Sequence, residues 1–171
     1  MPSAYVKTVE DLIFYEYAKL INKAAGFEVN NFRFRTHTWK KLKSGEIKMS
    51  TSIREWEIER KNRNVCIYCE SKEKVQTEHI IPKSKGGPNI ADNLVDSCQT
   101  CNLKKSNKDV FEFCAMLEIE VPRLVKGKIL KLVYLKHKEQ RTLQESDIDG
   151  DGKLNLLDLC AIFAKKEDNL D

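Results

Sequence analysis

Apolar residues near the N terminus recur at the spacing of an amphipathic helix. They fall on one side of a helix with about 3.6 residues per turn: Val9, Ile13, Leu20 and Ala24. The segment Thr8-Val-Glu-Asp11 before them has the pattern of a capping box, and Gly26 is suited to the C-cap. We therefore expect a first helix between Thr8 and Gly26.

The next stretch interleaves aromatic and basic residues. In Phe32-Arg-Phe-Arg35 the alternation has a period of two, which predicts a short strand. The composition of Lys43-Ser-Gly-Glu46 is typical of a turn. A second helix is expected at about residues 51–60.

The middle of the chain has the pattern of a β-hairpin followed by a helix. The β-prone run 75–81 leads into a Lys- and Gly-rich loop at 82–88, and Leu94-Val95 can form the return strand. The helix is expected to begin near Cys98.

The C-terminal part is predicted to be mainly helical. Residues 108–118 form one predicted helix, and Pro122 can begin another. The second has one regularly spaced face: Val125, Ile129, Leu132, Val133 and Lys136. A loop at 147–158 then runs into a short helix at 156–164.

The composition is that of a soluble globular protein with an uneven charge. Apolar and charged residues make up 41% and 33% of the 171 residues, and no apolar run approaches the length of a membrane span. The net charge is +4, but residues 1–144 carry 27 basic and 18 acidic groups, against three lysines and eight acidic groups in residues 145–171. A basic body makes a polyanion the first partner to consider. The first residues lack the pattern of a signal peptide, so we expect a cytoplasmic location.

Four of the six cysteines form two C-x-x-C pairs with 28 residues between them: Cys66, Cys69, Cys98 and Cys101. In a chain without an export signal, such pairs are typical of zinc thiolates. Four thiolates complete a tetrahedral site, so this zinc would be structural and would stabilise a small, loop-rich unit. Cys114 and Cys160 lie in apolar helical stretches and are expected to be buried there as small hydrophobic residues.

Between the cysteine pairs, Glu78-His79 precedes the Lys- and Gly-rich loop. A lone histidine is more often a packed or solvated side chain than a catalyst, and we interpret His37 and His137 in that way. His79 differs, because the segment CIYCE…TEHIIPKSKGG…ADNLVDSCQTCNLKK resembles the four-cysteine form of the HNH endonuclease family. The resemblance covers residues 66 to about 108. It implies an α+β fold with a ββα-metal core, held by the Cys₄ zinc site and flanked by helical segments.

The resemblance also implies roles for particular residues. The family's triplet stands here as His79, Asn93 and Asn102. His79 would be the general base that activates water, a task that suits a neutral imidazole. Glu78 and Asn102 would supply oxygen ligands to a catalytic Mg²⁺ or Mn²⁺, and Asn93 would brace the loop and orient the histidine strand. A simpler alternative is that Asn102 only caps its helix.

Two positions depart from the usual family pattern. The family often has aspartate where this chain has Glu78, whose longer side chain must be accommodated. Asn102 replaces the last histidine of the family's name, which favours Mg²⁺ or Mn²⁺ over softer metals.

Several lysines surround this predicted site and are candidates for contacts with DNA phosphates: Lys83, Lys85, Lys104, Lys105 and Lys108. The stretch 32–48 could add groove contacts or stack on a single strand. Buried aromatic residues with solvated arginines account for that stretch equally well.

The acidic segment 147–158 has the spacing of an EF-hand calcium loop, with aspartate in place of glutamate at its last position, as in the dockerin-type variant. Its expected ligands are Asp147, Asp149, Asp151, the carbonyl of Lys153, Asn155 and Asp158. We expect a structural Ca²⁺ site that pins the last helix. The alternative is an acidic turn that binds no metal.

The leading hypothesis is a metal-dependent DNA endonuclease with a flanking region at 1–60, a nuclease core at 61–118 and a helical region at 119–171. The competing hypothesis is a zinc-stapled DNA-binding module that does not cleave. A third, a calcium-regulated interaction module, would leave the central motif unexplained. The sequence does not decide the biological role or the DNA sequence that is recognised, and it leaves a homodimer open.

Overall fold

The computed structural model of the protein describes residues 4–27, 31–49, 53–148 and 150–164. It contains helices and a two-stranded antiparallel sheet, which confirms the predicted α+β class. The elements in chain order are α1 (Val9–Ala24), α2 (Phe32–Lys43), α3 (Glu55–Lys61), β1 (Val75–His79), β2 (Leu94–Cys98), α4 (Gln99–Lys105), α5 (Val110–Met116), α6 (Arg123–Glu139) and α7 (Leu156–Ala164). In the described part of the chain, no helix has the length and apolar composition needed to cross a membrane.

The chain divides into two compact units, residues 1–55 with 130–162 and residues 56–129 with 163–171. We call them the flanking unit and the hairpin unit. The domain boundaries after residues 60 and 118 stay predictions.

The first helix of the flanking unit begins as its sequence indicates. Thr8 Oγ1 accepts a hydrogen bond from Asp11 N at 3.2 Å, and the Asp11 carboxylate accepts one from Thr8 N at 3.3 Å. The predicted capping box is therefore confirmed. Ala25 caps the other end, and Gly26 follows it with a left-handed φ of 75°, a conformation that glycine adopts without strain.

The strand predicted for Phe32-Arg-Phe-Arg35 is wrong, because these residues form the first turn of α2. Asn31 caps this helix, with its Oδ1 accepting from Phe34 N at 3.1 Å. Thr38 and Leu42 are buried, and α2 packs on α1. The spacing of four between those two positions is helical, and it outweighs a four-residue alternation that is too short to establish a strand.

The C-terminal part of the flanking unit packs around a buried histidine. His137 Nδ1 lies 2.7 Å from Thr142 Oγ1, and its Nε2 lies 3.2 Å from Leu159 O. Burial lowers the pKa of His137. It is a packed side chain, as its sequence context predicts.

The hairpin unit is built on the predicted β-hairpin. Strands β1 and β2 pair antiparallel, with Glu78 opposite Val95 and His79 opposite Leu94. Neighbouring strand residues point to opposite faces, so Glu78 is buried whereas His79 is half-buried at the edge. The next helix, α4, begins directly after Cys98, as predicted.

The remaining predicted helices differ from the observed ones mainly at their ends. The helix predicted at 51–60 begins at Glu55, since Ile53 and Arg54 are not helical and residues 51–52 lie outside the described part. The helix predicted at 108–118 covers Val110–Met116, with Asp109 as its N-cap. The helix predicted at 156–164 is confirmed.

Candidate active site and metal centre

The four paired cysteines converge in the hairpin unit. Their sulfur atoms all lie within 4.8 Å of one another, and Cys69 Sγ is 3.6 Å from Cys98 Sγ. Sulfur atoms around a tetrahedral zinc, each about 2.3 Å from the metal, lie about 3.8 Å apart. The four-cysteine cluster can therefore bind zinc.

Backbone hydrogen bonds bring the two cysteine pairs together. Ile67 N, inside the first pair, donates to Asp96 O on β2 at 2.9 Å. Cys98 ends β2 and caps α4, and its Sγ accepts from Cys101 N at 3.4 Å. The hairpin and α4 therefore meet at the same four-cysteine cluster.

The cluster places the thiols in unequal surroundings. Burial raises the pKa of the Cys66 thiol, but backbone N–H groups of Cys98, Cys69 and Tyr68 outweigh it and bring the pKa to about 7. Burial raises the pKa of Cys101. Because zinc binds the thiolate form, loading this cluster must release protons, and zinc affinity must fall as the pH falls.

Glu78 has the most unusual environment in the hairpin unit. Its side chain is buried, and among the described residues neither carboxylate oxygen has a hydrogen-bond partner. Burial raises the pKa of Glu78, and the positive charge of Lys105 only partly offsets this. The Tyr68 hydroxyl lies close enough to lower this pKa as well, but it makes no hydrogen bond of good geometry with Glu78. A buried carboxylate in this state is unfavourable. Two oxygens in this state suit a hard divalent cation, for which carboxylates are preferred ligands.

Lys105 lies beneath the same site. It is 2% exposed, and its Nζ donates to His79 O at 3.0 Å. The ammonium is 3.9 Å from Glu78 Oε1, beyond hydrogen-bond distance. Burial lowers the pKa of Lys105, and the Glu78 carboxylate partly opposes this. This burial contradicts the predicted phosphate contact: Lys105 supports the strand that carries His79.

Tyr68 lies close to the Glu78 carboxylate. Its ring meets Phe113 edge-on, with centroids 5.1 Å apart. Burial raises the pKa of Tyr68, and the nearby Glu78 carboxylate raises it further. Sequence reasoning did not assign Tyr68 a role, since a tyrosine between two zinc cysteines carries no pattern that identifies its partner.

His79 is held by a side chain that sequence reasoning did not predict. Its Nε2 lies 3.0 Å from Asn89 Oδ1. An amide oxygen can only accept, so in this contact Nε2 is the donor. No motif identifies Asn89, because the loop that brings it back to His79 is irregular.

Asn93 occupies the centre of the loop that follows His79. It is fully buried, with Oδ1 accepting from Ile81 N at 2.8 Å. Its Nδ2 donates to Ile81 O at 3.0 Å and to Pro88 O at 2.9 Å. Gly87 completes this packing, since a Cβ there would lie 1.9 Å from Ile81 O. The contacts tie both ends of the loop to one amide side chain.

Asn102 lies within α4 and is half-buried. The alternative that it caps this helix is wrong, because Cys98 is the N-cap. Lys105, three residues further along, reaches β1 through His79 O. Residues three apart share a helix face, so Asn102 lies on the side of α4 that faces β1.

The other predicted phosphate contacts remain at or near the surface. Lys83 and Lys104 are exposed, whereas Lys85 and Lys108 are half-buried. Lys108 Nζ donates to Lys104 O at 3.3 Å. These four positions leave their charges available to solvent.

The acidic loop lies in the flanking unit. Asp147 accepts from Gly150 N and Gly152 N, each at 2.8 Å. Asp158 is buried and accepts from Ile148 N at 2.8 Å and Asn155 N at 2.6 Å. Asp151 and Lys153 are exposed, whereas Asp149 lies outside the described residues. The loop is thus folded around its first and last carboxylates.

Comparison with known families bears on the segment that contains this site. Residues 66–116 match the HNH endonuclease family model. This HNH segment includes the four cysteines, Glu78, His79, Asn93 and Asn102, and its match supports a nuclease-type function with DNA as the substrate. No curated protein and no solved structure matches the chain.

Proposed function

We propose that the protein is a metal-dependent endonuclease that hydrolyses DNA phosphodiester bonds. The observation that carries the proposal is the buried Glu78 carboxylate, which lacks a hydrogen bond among the described residues and directly precedes His79. Both belong to the HNH segment. A module that only binds DNA has no use for an unsatisfied carboxylate next to a histidine.

His79 is the proposed general base. With Nε2 hydrogen-bonded to Asn89 Oδ1, Nδ1 would take the proton of an attacking water. Asn93 holds the loop, and Lys105 holds the carbonyl of His79. These contacts keep the imidazole in one orientation while it accepts the proton.

Glu78 and Asn102 would hold the catalytic cation. Mg²⁺ or Mn²⁺ in this position would stabilise the negative charge that develops on the phosphate and on the leaving oxygen. The surface lysines (Lys83, Lys85, Lys104 and Lys108) would contact flanking phosphates and position the DNA. The competing proposal is a zinc-stapled module that binds DNA without cleaving it.

Metal-linked stabilisation tests the site directly. For zinc-loaded wild type, we expect Mn²⁺ to raise the free energy of unfolding by about 2.7 kcal/mol at a concentration of about 100 times its Kd. The Glu78→Gln variant should lose this increment, because the amide keeps the shape but not the charge. Plasmid cleavage by wild type should require Mg²⁺ or Mn²⁺, and Glu78→Gln should lower it by about 10²-fold or more.

Glu73→Gln is the matched control, since Glu73 is an exposed carboxylate in the same unit. Its stability in Mn²⁺ and its cleavage rate should equal those of wild type. If Mn²⁺ stabilised wild type, Glu78→Gln and Glu73→Gln equally, Glu78 would not be a ligand of the metal. Wild type that binds DNA but cleaves no tested substrate with any metal would support the binding module.

For the loop at 147–158 we propose a structural Ca²⁺ site. The specific support is the buried Asp158, which receives two backbone N–H groups while Asp147 receives two more. This arrangement orders the loop with carboxylates at both ends, and a divalent cation would reduce their mutual repulsion.

Calcium should stabilise the flanking unit. At about ten times its Kd, Ca²⁺ is expected to add about 1.4 kcal/mol to the free energy of unfolding. Asp151→Asn should reduce this increment, because the substitution removes a charge while Oδ1 can still accept from Lys153 N. Thermal melts in Ca²⁺ and in Mg²⁺ at equal concentration provide the measurement. Identical effects of the two ions would indicate charge screening by an acidic turn.

A further inference from the structure

Helix α2 presents a basic face that the flanking unit does not use. Arg33, His37 and Lys40 are exposed and recur at i, i+4 and i+7, so they lie along one side of the helix. Within the described part of the chain, no ion pair is found for these three residues. We call them the α2 basic face.

The other cations of α2 do have partners inside the flanking unit. Arg35 donates to Tyr15 Oη at 3.1 Å. Lys43 lies 2.5 Å from the Asp11 carboxylate, and Lys41 lies 2.7 Å from that of Glu46. The helix therefore contains basic residues that bind partners within the flanking unit and basic residues, those of the α2 basic face, that form no ion pair among the described residues.

Not every residue of the α2 basic face stabilises its own helix. The first turn of α2 contains no acidic residue, yet Arg33 is placed there, where the helix dipole disfavours a cation. Lys40 lies in the last turn, where the dipole favours it. Helix stability thus accounts for Lys40 but not for Arg33.

Two of the three aromatic residues of this helix, Phe34 and Trp39, are engaged within the flanking unit, whereas Phe32 is 48% exposed. Trp39 Nε1 donates to Asp11 O at 3.1 Å, and Phe34 packs against Phe27 with ring centroids 4.4 Å apart. Single-strand binding relies on aromatic faces that are free to stack on bases. Phe32 lies about 100° around the helix from Arg33, so the α2 basic face itself carries no aromatic residue, which favours contacts with the phosphates of a duplex over stacking on an unpaired strand.

We propose that the α2 basic face binds the phosphate backbone of duplex DNA, as a second contact surface outside the HNH segment. Arg33 and Lys40 are separated by a helical rise of about 10 Å, close to the width of about 12 Å of the major groove. The face can therefore reach phosphates on the two edges of that groove. The proposal rests on the proposed function, since it takes DNA as the substrate.

The test is the salt dependence of duplex binding in a non-cleaving His79→Ala background. Each phosphate contact contributes about 0.9 to the slope of log K against log salt. The variant Arg33→Gln/Lys40→Gln should therefore lower the slope by about 2 over about 50–200 mM salt. The matched control is Lys7→Gln/Lys138→Gln, which removes two exposed lysines and the same net charge from the same unit. Its slope should be unchanged, and thermal melts should show both variants folded.

The salt slopes of the parent and the two variants distinguish the possible DNA contacts. A slope that falls only in the Arg33/Lys40 variant supports the α2 basic face. Equal slopes in the parent and both variants overturn it while leaving the endonuclease proposal intact, and an equal fall in both variants would indicate net charge alone. A loss confined to single-stranded DNA would overturn the duplex assignment. If the parent binds no duplex at any salt concentration, the proposed function itself fails.

Discussion

Replacing Cys98 with serine is expected to unfold most of the hairpin unit. Cys98 joins three structural roles, because it ends β2, caps α4 and supplies one of four clustered sulfurs. Structural zinc contributes roughly 10–16 kcal/mol in small zinc-binding peptides, whereas a whole domain is stable by about 5–15 kcal/mol. If the loss of one ligand abolishes zinc binding, the free energy lost is comparable to the entire free energy of unfolding of the unit.

Zinc analysis, far-UV circular dichroism and limited proteolysis measure this effect. Wild type should bind one zinc per chain, and Cys98→Ser should lose the metal and become sensitive to protease between residues 56 and 129. Chelation of zinc from wild type should have the same result. Cys114→Ala is the control, since this thiol is also buried in the hairpin unit but lies outside the cluster. A chelated protein that kept its circular dichroism and protease resistance would contradict a structural zinc site.

Replacing His79 with alanine is expected to abolish cleavage while leaving DNA binding intact. Removal of a general base lowers the rate by about 10²–10⁴-fold. Binding should change little, because phosphate contacts supply most of the affinity and His79 is a single half-buried side chain. The expected result is a protein that retards DNA in a gel but no longer nicks supercoiled plasmid in Mg²⁺ or Mn²⁺.

Gln76→Ala provides the control for His79→Ala, since Gln76 is an exposed residue on the same strand. It should keep both binding and cleavage. If His79→Ala retained more than about a tenth of the wild-type rate, the general base would have to be another group. Loss of DNA binding and cleavage together would point to a role for His79 in the structure of the hairpin.

The Cys98 and His79 variants distinguish the four-cysteine cluster from the proposed cation site at Glu78. Four cysteines can supply all the ligands of a zinc ion, so loss of that zinc would change stability first. The Glu78 carboxylate makes no hydrogen bond among the described residues, so a metal bound at the proposed site would change both stability and activity. Removal of zinc by a zinc-selective chelator should therefore abolish cleavage by unfolding the hairpin unit. Removal of Mn²⁺ alone should abolish cleavage without unfolding it.

Local patterns in the sequence determined much of the secondary structure. The capping box at Thr8, the hairpin between the cysteine pairs and the last helix at 156–164 were all predictable, since each depends on residues close together in the chain. The error at Phe32–Arg35 has the same origin. Four alternating residues fit a strand, but the side chains that decide the matter, Thr38 and Leu42, act by packing on α1.

The sequence alone also predicted the four-cysteine cluster, and its resemblance to the HNH endonuclease family implied the candidate nuclease residues, whose roles stay predictions. Cysteine spacing is informative because two short C-x-x-C turns must supply four ligands to a single ion. The pattern around His79 is informative because the chemistry needs a base next to oxygen ligands. The cysteine inference required residue types and spacing, the nuclease inference required the family resemblance, and neither required knowledge of which side chains are buried.

Only the tertiary structure decided how the site is supported. Lys105 is one of several similar lysines in the sequence, yet it is buried beneath His79 while its neighbour Lys104 is exposed. Asn89 contacts His79 across an irregular loop, and Glu78 is recognisable as an unsatisfied carboxylate only once its surroundings are known. Burial and long-range hydrogen bonds depend on the whole fold, because residues distant in sequence create the low-polarity environment in which they act.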